Sequence, residues 1–283
     1  MNTVDTLTTY PRVLSIAGSD SGGGAGIQAD LKTFSALGCF GMTAITALTA
    51  QNTTGVRAIH GVPPSMLADQ IDAVVEDIGV DAVKVGMLHS PEIVQVVAKA
   101  IDRHALQPVV LDPVMVATSG AVLIDDSAIA VLVRELFARS ALVTPNLDEA
   151  GLLVGRKLHS EADMQAAAES LLRMGARAVL LKGGHLQGDT VSDLLALSGG
   201  ERLWMRDARI ATPNTHGTGC TLSSAIAAQL ALGQPLPQAV QVARHYVRGA
   251  LQHGAAARTG QGSGPLNHGF APQAMVARPR ALQ

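Results

Sequence analysis

The sequence has few aromatic residues, few cysteines, no basic run and no long apolar run. Phe, Trp and Tyr make up 2% of the 283 residues and the formal net charge is −2, so stacking platforms and a basic surface for nucleic acids are missing. Two cysteines, Cys39 and Cys220, are too few for a disulfide scaffold and suit a reducing compartment. No stretch approaches the about 18 apolar residues of a membrane span, and residues 1–10 lack signal-peptide features. These absences predict a soluble cytoplasmic protein that binds neither nucleic acid nor membranes.

Short apolar runs alternate with amphipathic segments along most of the chain. Strands are predicted at 13–17, 82–85, 109–111, 141–143 and 178–181, each bounded by Gly, Pro or polar residues. Helices are predicted near 26–37, 65–78, 92–104, 127–138 and 162–174. Nearly continuous apolar strands separated by helices are typical of a mostly parallel sheet that is covered on both faces.

The last third of the chain adds a hairpin and two closing helices. Strands at 191–197 and 202–210, joined by Ser198-Gly199-Gly200, predict an antiparallel hairpin at the sheet edge. Helices are predicted at 220–232 and 236–256. Since no break in composition marks a linker, we expect one domain over 12–269, after an N-terminal extension (1–11) and before a disordered tail (270–283).

Polar and glycine-rich segments follow the predicted strand ends. They are Gly18 to Gly26, Gly86-Met87, Asp112-Pro113, Thr144-Pro145-Asn146 and Lys182-Gly183-Gly184. Because ligands of such sheets bind beyond the carboxyl ends of the strands, at a switch in strand order, these five loops are expected to share one rim.

The first of these loops is similar to a nucleotide fingerprint but lacks its partners. A nicotinamide site needs an acidic residue about 20 positions further on, where the chain reads Leu48-Thr49-Ala50-Gln51-Asn52. A phosphate-binding P-loop needs Gly-Lys-Ser/Thr, and no Lys follows these glycines. Asp30 falls on the inward face of the next helix, where its carboxylate either satisfies backbone donors or meets a polar ligand group.

The segment Asn-Thr-His-Gly-Thr-Gly-Cys (214–220) opens a helix with a buried face. A glycine-rich turn at a helix start offers unpaired N–H groups and a positive dipole end, which together bind anions. Cys220 lies in that first turn, where we expect its thiol pKa to fall below about 8.5. The alternative is a simple helix cap beside an incidental cysteine.

Eight motifs in order resemble the hydroxymethylpyrimidine/phosphomethylpyrimidine kinases of thiamine biosynthesis. They are Val-Leu-Ser-Ile-Ala-Gly-Ser-Asp (13–20) with Gly-Gly-Ala-Gly-Ile-Gln-Ala-Asp-Leu-Lys (23–32), Ala-Gln-Asn-Thr (50–53), Lys-Val-Gly-Met-Leu (84–88), Asp-Pro-Val-Met (112–115), Thr-Pro-Asn-Leu-x-Glu-Ala (144–150), Leu-Lys-Gly-Gly-His (181–185), segment 214–220, and Gly-Pro-Leu-Asn-His (264–268). The resemblance implies a three-layer α/β/α ribokinase-like fold. It also implies ATP-dependent phosphorylation of hydroxymethylpyrimidine and then of its monophosphate, with Mg²⁺, in a homodimer.

The resemblance also implies a pyrimidine site. It maps onto Gly18, Asp30, Gln51 and Met87. Gln51 offers a donor and an acceptor to an aminopyrimidine edge, and Met87 offers a soft apolar contact. From the residues alone, Gln51 could instead cap the backbone and Met87 could belong to the core.

The implied kinase machinery has Cys220 as the base and Gly217, Thr218 and Gly219 as the anion hole. Asn146 and Glu149 resemble an Asn-x-x-Glu motif that organises Mg²⁺, with Asp112 assisting, and Lys182 and His216 would meet ATP phosphates. Lys182 could equally be a surface residue and His216 a structural one.

Two departures from the family pattern stand out. Ser21-Gly22 replaces a common Pro-Ser, and Thr118 stands where a Lys is frequent, which puts the second phosphorylation in doubt. A vitamin B6 kinase on the same fold is the alternative function, and Gln51 with Met87 favours the aminopyrimidine over it. A non-catalytic sensor would be expected to lack Cys220 or Glu149, and both are present.

Overall fold

A computed structural model of the chain describes residues 8–115, 124 and 126–279. Its helices are α1 (Gly26–Ala36), α2 (Pro64–Asp77), α3 (Pro91–Arg103), α4 (Asp126–Leu136), α5 (Leu147–Val154), α6 (Glu161–Arg173), α7 (Thr218–Ala231) and α8 (Leu236–Gly254). Its strands are β1 (Thr8–Thr9), β2 (Arg12–Ala17), β3 (Phe40–Ile45), β4 (Ala47–Asn52), β5 (Gly55–Gly61), β6 (Ala82–Val85), β7 (Val109–Leu111), β8 (Leu142–Val143), β9 (Ala178–Leu181), β10 (Thr190–Leu197), β11 (Arg202–Ala208) and β12 (Arg278–Pro279).

Eight of these strands form one sheet in the order β11-β10-β9-β8-β7-β6-β2-β3. The pairs from β3 through β9 are parallel, and β10 and β11 add an antiparallel hairpin at one edge. The predicted mostly parallel sheet with an antiparallel edge hairpin is confirmed.

Alternate strand residues enter two separate cores, which explains why the central strands are mostly apolar. In β7, Val109 and Leu111 face the layer that contains α2, α3, α4 and α6, whereas Val110 faces α1, α7 and α8. Since both faces of the sheet are buried, most positions of the pleat are apolar, and the buried polar residues Ser15 of β2 and Lys84 of β6 have a polar partner in Asp30. The three-layer α/β/α architecture is therefore confirmed.

The chain order reverses at β2, and this reversal positions the cavity described below. β3 lies on one side of β2 and β6 on the other, so the loops that leave β2 and β6 diverge at their carboxyl ends and leave a crevice between them. A separate two-stranded sheet, β4-β5, stands beside this crevice.

The segment 40–61 and helix α5 were not among the predicted elements. The strands β3, β4 and β5 are rich in Ala, Thr and Gly and largely exposed on at least one face, so they carry a weak hydrophobic pattern. Gln51 is part of β4.

The ends of the described chain lie together. β1 pairs with β12, Gln273 N–H donates to the Ala36 carbonyl, and Arg278 donates to the Ala231 carbonyl at 2.9 Å. The boundaries 1–11, 12–269 and 270–283 stay a prediction. Thr118 lies outside the described residues.

Candidate active site

A cavity of about 670 Å³ lies at the carboxyl ends of the parallel strands, with the start of α7 in its wall. It gathers residues from loops that are far apart in sequence, as the strand-end argument predicts. The nominated residues that line it are Gly18, Gln51, Met87, Asp112, Asn146, Glu149, Lys182, His216, Gly217, Thr218, Gly219 and Cys220. Asp30, which was also predicted to belong to the site, does not line the cavity.

The start of α7 has the geometry of an anion cradle. Gly217 is its N-cap with φ +84°, and a Cβ there would lie 1.8 Å from the Gly24 carbonyl oxygen, so only glycine fits. The Thr221 N–H makes the first bond back to the Gly217 carbonyl. The N–H groups of Gly219 and Cys220 therefore precede the first intrahelical bond and are available to an anion.

A cluster of opposite charges lies against this cradle. Lys182 Nζ is 2.8 Å from Asp112 Oδ1 and 4.0 Å from Glu149 Oε2, and all three side chains are largely buried. A Cβ on Gly219 would lie 3.1 Å from Lys182 Nζ, so the ammonium and the backbone cradle share one space. Although burial favours the neutral amine, Asp112 and Glu149 raise the pKa of Lys182, which stays charged.

Asn146 and Glu149 hold each other in place. The Asn146 side chain accepts from the Glu149 N–H at 2.9 Å, and Glu149 Oε2 accepts from the Asn146 N–H at 2.8 Å. This capping box starts α5, so the Asn-x-x-Glu spacing fixes the two side chains relative to each other. The side-chain oxygen of Asn146 thereby accepts a hydrogen bond from the backbone of α5.

Burial makes Glu149 a weak acid. Desolvation raises its pKa to about 7, Lys182 opposes this rise, and the charge of Asp112 adds to it. The carboxyl group therefore holds its proton more strongly than an ordinary Glu, and a cation bound beside it would favour the carboxylate.

The environment of Cys220 contradicts the expectation of a lowered thiol pKa. The side chain is partly exposed to the cavity, yet burial raises its pKa to about 11; Lys84 and the Gly26 N–H lower it, while Asp30 and Asp112 raise it. Desolvation of a thiolate here outweighs the helix terminus, which the sequence could not reveal.

Asp30 lies one layer below the cavity rather than on it. Its side chain is fully buried, accepts from Ser15 Oγ at 2.6 Å and Ser224 Oγ at 2.6 Å, and is paired with Lys84 Nζ at 2.8 Å. Three side-chain donors surround the carboxylate, so its partners are Ser15, Ser224 and Lys84 and not the N–H groups of the helix start; its predicted role toward the pyrimidine stays a prediction.

Asp20 organises the first glycine loop, a role that the sequence analysis did not assign. Its carboxylate accepts from the N–H groups of Gly22, Gly24 and Ala25 at 2.8–3.0 Å and lies 2.9 Å from His216 Nε2. Burial acts to raise its pKa, but the His216 and backbone bonds hold the pKa of Asp20 below its usual value. An Asp followed by four small residues was the available signal.

His216 joins the two glycine segments. It is buried, bonds Asp20, and lies with Nε2 3.5 Å from Gln51 Nε2. Gln51 in turn lies 3.3 Å from Thr49 Oγ1. These contacts give His216 a structural role and position Gln51 next to it on the cavity wall, and a contact of His216 with phosphate stays a prediction.

The same end has an apolar face. Met87 packs with Ala47 and Val114, and a Cβ on Gly18 would lie 3.1 Å from Met87 Sδ. Glycine at position 18 therefore keeps open the space beside the thioether, where a flat ring can lie.

The opposite end of the cavity was missed by sequence reasoning. Its apolar lining comes from strands and helices that are distant in sequence: Val191, Ile210, Leu222, Val247 and Leu251. Arg244 borders it, held 2.8 Å from Asp193 and 3.0 Å from Asp207. Scattered aliphatic residues carry no motif, so only the fold brings them together.

Comparisons with known proteins agree with this arrangement. A sequence model described as phosphomethylpyrimidine kinase matches residues 20–267. The chain is 51% identical over 256 residues to the hydroxymethylpyrimidine/phosphomethylpyrimidine kinase of Rhizobium meliloti, which covers 90% of this chain and 96% of that protein. It is 52% identical to the thiamine biosynthesis bifunctional protein ThiED of Geobacter sulfurreducens over 92% of this chain, and it spans 53% of that longer protein.

Solved structures of two kinds of kinase have the same fold as this chain. A phosphomethylpyrimidine kinase from Clostridium difficile is 42% identical with a TM-score of 0.74, over 85% of this chain and 99% of that one. A pyridoxal kinase from Bacillus subtilis in complex with ADP is 34% identical with a TM-score of 0.84, over 92% and 98%.

Proposed function

The chain belongs to the phosphomethylpyrimidine kinase family, and we propose that it phosphorylates 4-amino-5-hydroxymethyl-2-methylpyrimidine with ATP and then converts the monophosphate to the diphosphate. The observation that carries this proposal is one cavity that combines three features. Gln51 and Met87 form an end that suits a heteroaromatic ring, Cys220 supplies a thiol, and Gly219 with Lys182 forms a positively charged anion cradle. These groups are arranged in sequence along the cavity. The N–H of Gly26, beside the first loop, acts on the Cys220 thiol, and Gly219 lies next to Lys182.

In this arrangement, Cys220 acts as the base for the alcohol. The thiolate takes the proton of the hydroxymethyl group as its oxygen bonds to the γ-phosphorus, and the bond from that phosphorus to the bridging oxygen breaks with its electrons leaving on ADP. The thiol then returns the proton to solvent. The Gly219 and Cys220 N–H groups and Lys182 stabilise the charge on the transferring group.

Mg²⁺ fits the acidic part of the site. Glu149 and Asp112 supply hard carboxylate oxygens in the same cavity, and Lys182 is the cation beside both of them. We assign these two residues to the ion, which would neutralise phosphate charge when bound, with water and phosphate oxygens completing its ligands.

The apolar end suits the base of the nucleotide. Val191, Ile210 and Leu222 offer an apolar surface against which a flat ring can pack. The anion cradle lies between this surface and Gln51. A nucleotide seated there would direct its terminal phosphate to Cys220.

A coupled ADP-release assay tests the function directly. The purified protein is given hydroxymethylpyrimidine, its monophosphate or pyridoxal at equal concentrations, with ATP and Mg²⁺. We expect hydroxymethylpyrimidine and its monophosphate to be phosphorylated with a higher kcat/KM than pyridoxal. Turnover of pyridoxal alone would establish the vitamin B6 kinase that the Bacillus subtilis neighbour suggests.

Gln51→Leu is expected to weaken binding of hydroxymethylpyrimidine by about 1–3 kcal/mol, the usual cost of leaving a polar partner unsatisfied. ATP affinity should barely change, because Gln51 lies at the other end of the cavity. Isothermal calorimetry with each ligand measures both effects. An equal loss for the two ligands would mean that Gln51 holds the β4-β5 sheet in place.

The rate with the alcohol substrate is expected to rise with pH. Since the Cys220 pKa is about 11, the thiolate is a minor species at neutral pH and its fraction grows about tenfold per pH unit below that value. Between pH 8 and 10, where Glu149 is already ionised, log kcat/KM for the alcohol should increase with pH. The monophosphate, which is already anionic, should show a much flatter profile, and parallel profiles would contradict the assignment.

The surface and the composition of the chain bear on its assembly and its location. Exposed Leu48, Ile59 and Met66 on or next to the β4-β5 sheet support a homodimer, which sedimentation at micromolar concentration would detect. Within the described residues, no helix is both long and apolar enough to cross a membrane. A cytoplasmic location is proposed from cysteine usage.

A further inference from the structure

We propose that Lys84 is a positioning residue whose buried ammonium, anchored by Asp30, supports the thiolate form of Cys220 during transfer to the alcohol. The inference rests on the proposed function in that it gives the thiolate a catalytic use. Neither Lys84 nor its pairing with Asp30 was expected from the sequence pattern.

The pair is fully enclosed. Lys84 Nζ lies 2.9 and 2.8 Å from the two oxygens of Asp30, and both side chains are 0% exposed. Although burial favours the neutral amine, Asp30 raises the pKa of Lys84 above its usual value, so the cation persists. A charged pair in such a place is costly, and an apolar pair of similar volume would serve stability as well.

The pair is tied to the helix that carries Cys220. Ser224, four residues after Cys220 on α7, donates to Asp30 Oδ1 at 2.6 Å. Gly26, four residues before Asp30 on α1, lines the same cavity as Cys220, and its N–H acts to lower the pKa of the thiol. Because positions four apart lie one above the other on a helix, α1 and α7 are joined by two polar contacts in line.

The cation, and not the anion, borders the cavity that contains the thiol. Lys84 and Cys220 both line this cavity, whereas Asp30 does not. Four charged groups act on the thiol: Lys84 from β6 and Lys182 from the end of β9 favour the thiolate, and Asp30 from α1 and Asp112 from the end of β7 oppose it. Lys84 lowers the pKa of the thiol more than Asp30 raises it.

The test measures the thiol itself. In a Cys39→Ala background, which leaves Cys220 as the single thiol, the rate of alkylation by iodoacetamide is followed from pH 8 to 10.5 in the full-length protein. Lys84→Met should raise the Cys220 pKa by at least about one unit, which slows alkylation at fixed pH about tenfold. Asp30→Asn should shift it in the opposite direction, because the ammonium then loses its counter-charge.

A double variant removes the risk of misfolding. Asp30→Asn with Lys84→Met leaves no unpaired charge, and it should still alkylate more slowly than the parent because the cation outweighs the anion at the thiol. Arg12→Met, which breaks the half-buried pair with Asp81 at the other end of β2, is the matched control and should leave alkylation unchanged.

The outcomes separate this inference from the function. Unchanged alkylation in the double variant, or shifts of the same sign in both single variants, would overturn the role of Lys84 even if the parent phosphorylates the alcohol. The expected shifts in a parent that does not turn over hydroxymethylpyrimidine would uphold the electrostatic pairing and refute the proposed function.

Discussion

Cys220→Ala is expected to lower kcat for the free hydroxymethylpyrimidine by about 10²–10⁴-fold, the usual effect of removing a general base. The thiol lies in the first turn of α7, beside the anion cradle and within the same cavity as Gln51. Steady-state kinetics with saturating ATP measures the loss. The fold should persist, because the cavity tolerates a smaller side chain at a partly exposed position.

The monophosphate supplies the internal comparison. Its attacking group is already an anion, so the same variant should lose far less activity with it, and the ratio of the two rates should change. Cys39→Ala, a change at a fully buried cysteine remote from the cavity lining, is the matched control. Equal losses for both acceptors, or near-normal turnover of the alcohol, would remove Cys220 from proton transfer.

Lys182→Met is expected to lower kcat/KM for ATP by about 10²–10³-fold with both acceptors, a typical effect of deleting a charged stabiliser of the transition state. The ammonium offsets Asp112 at 2.8 Å and adjoins the cradle at Gly219. Without it, buried carboxylates would face the incoming phosphates uncompensated, and repulsion would weaken both binding and transfer. The loss is measured from initial rates at varied ATP.

Lys99→Met, on the exposed side of α3, controls for a general change in charge and should leave kcat/KM unaltered. A loss in Lys182→Met confined to one acceptor would instead place the ammonium at the acceptor. Recovery of the rate at higher Mg²⁺ would show that its main work is to balance charge.

The central sheet was predictable because each of its strands carries its own run of apolar residues. β2, β6, β7 and β9 are buried on both faces, so nearly every position in them is apolar. The strands β3 to β5 were missed since their stability comes from pairing beside the cavity rather than from an apolar run. The capping box of Asn146 with Glu149 was visible as a spacing, whereas the aliphatic wall from Val191 to Leu251 was not.

The sequence by itself determined the layered fold, the rim of strand-end loops and the family, because these follow from short-range periodicity and from glycine and carboxylate motifs that need particular local geometry. Only the tertiary structure decided the states of the charged groups. It placed Asp30 against Lys84 below the cavity, joined His216 to Asp20, and withdrew Cys220 far enough from solvent that desolvation raises its thiol pKa to about 11. Protonation depends on desolvation and on the summed charges of groups brought together from the whole chain, and neither quantity is contained in a local pattern.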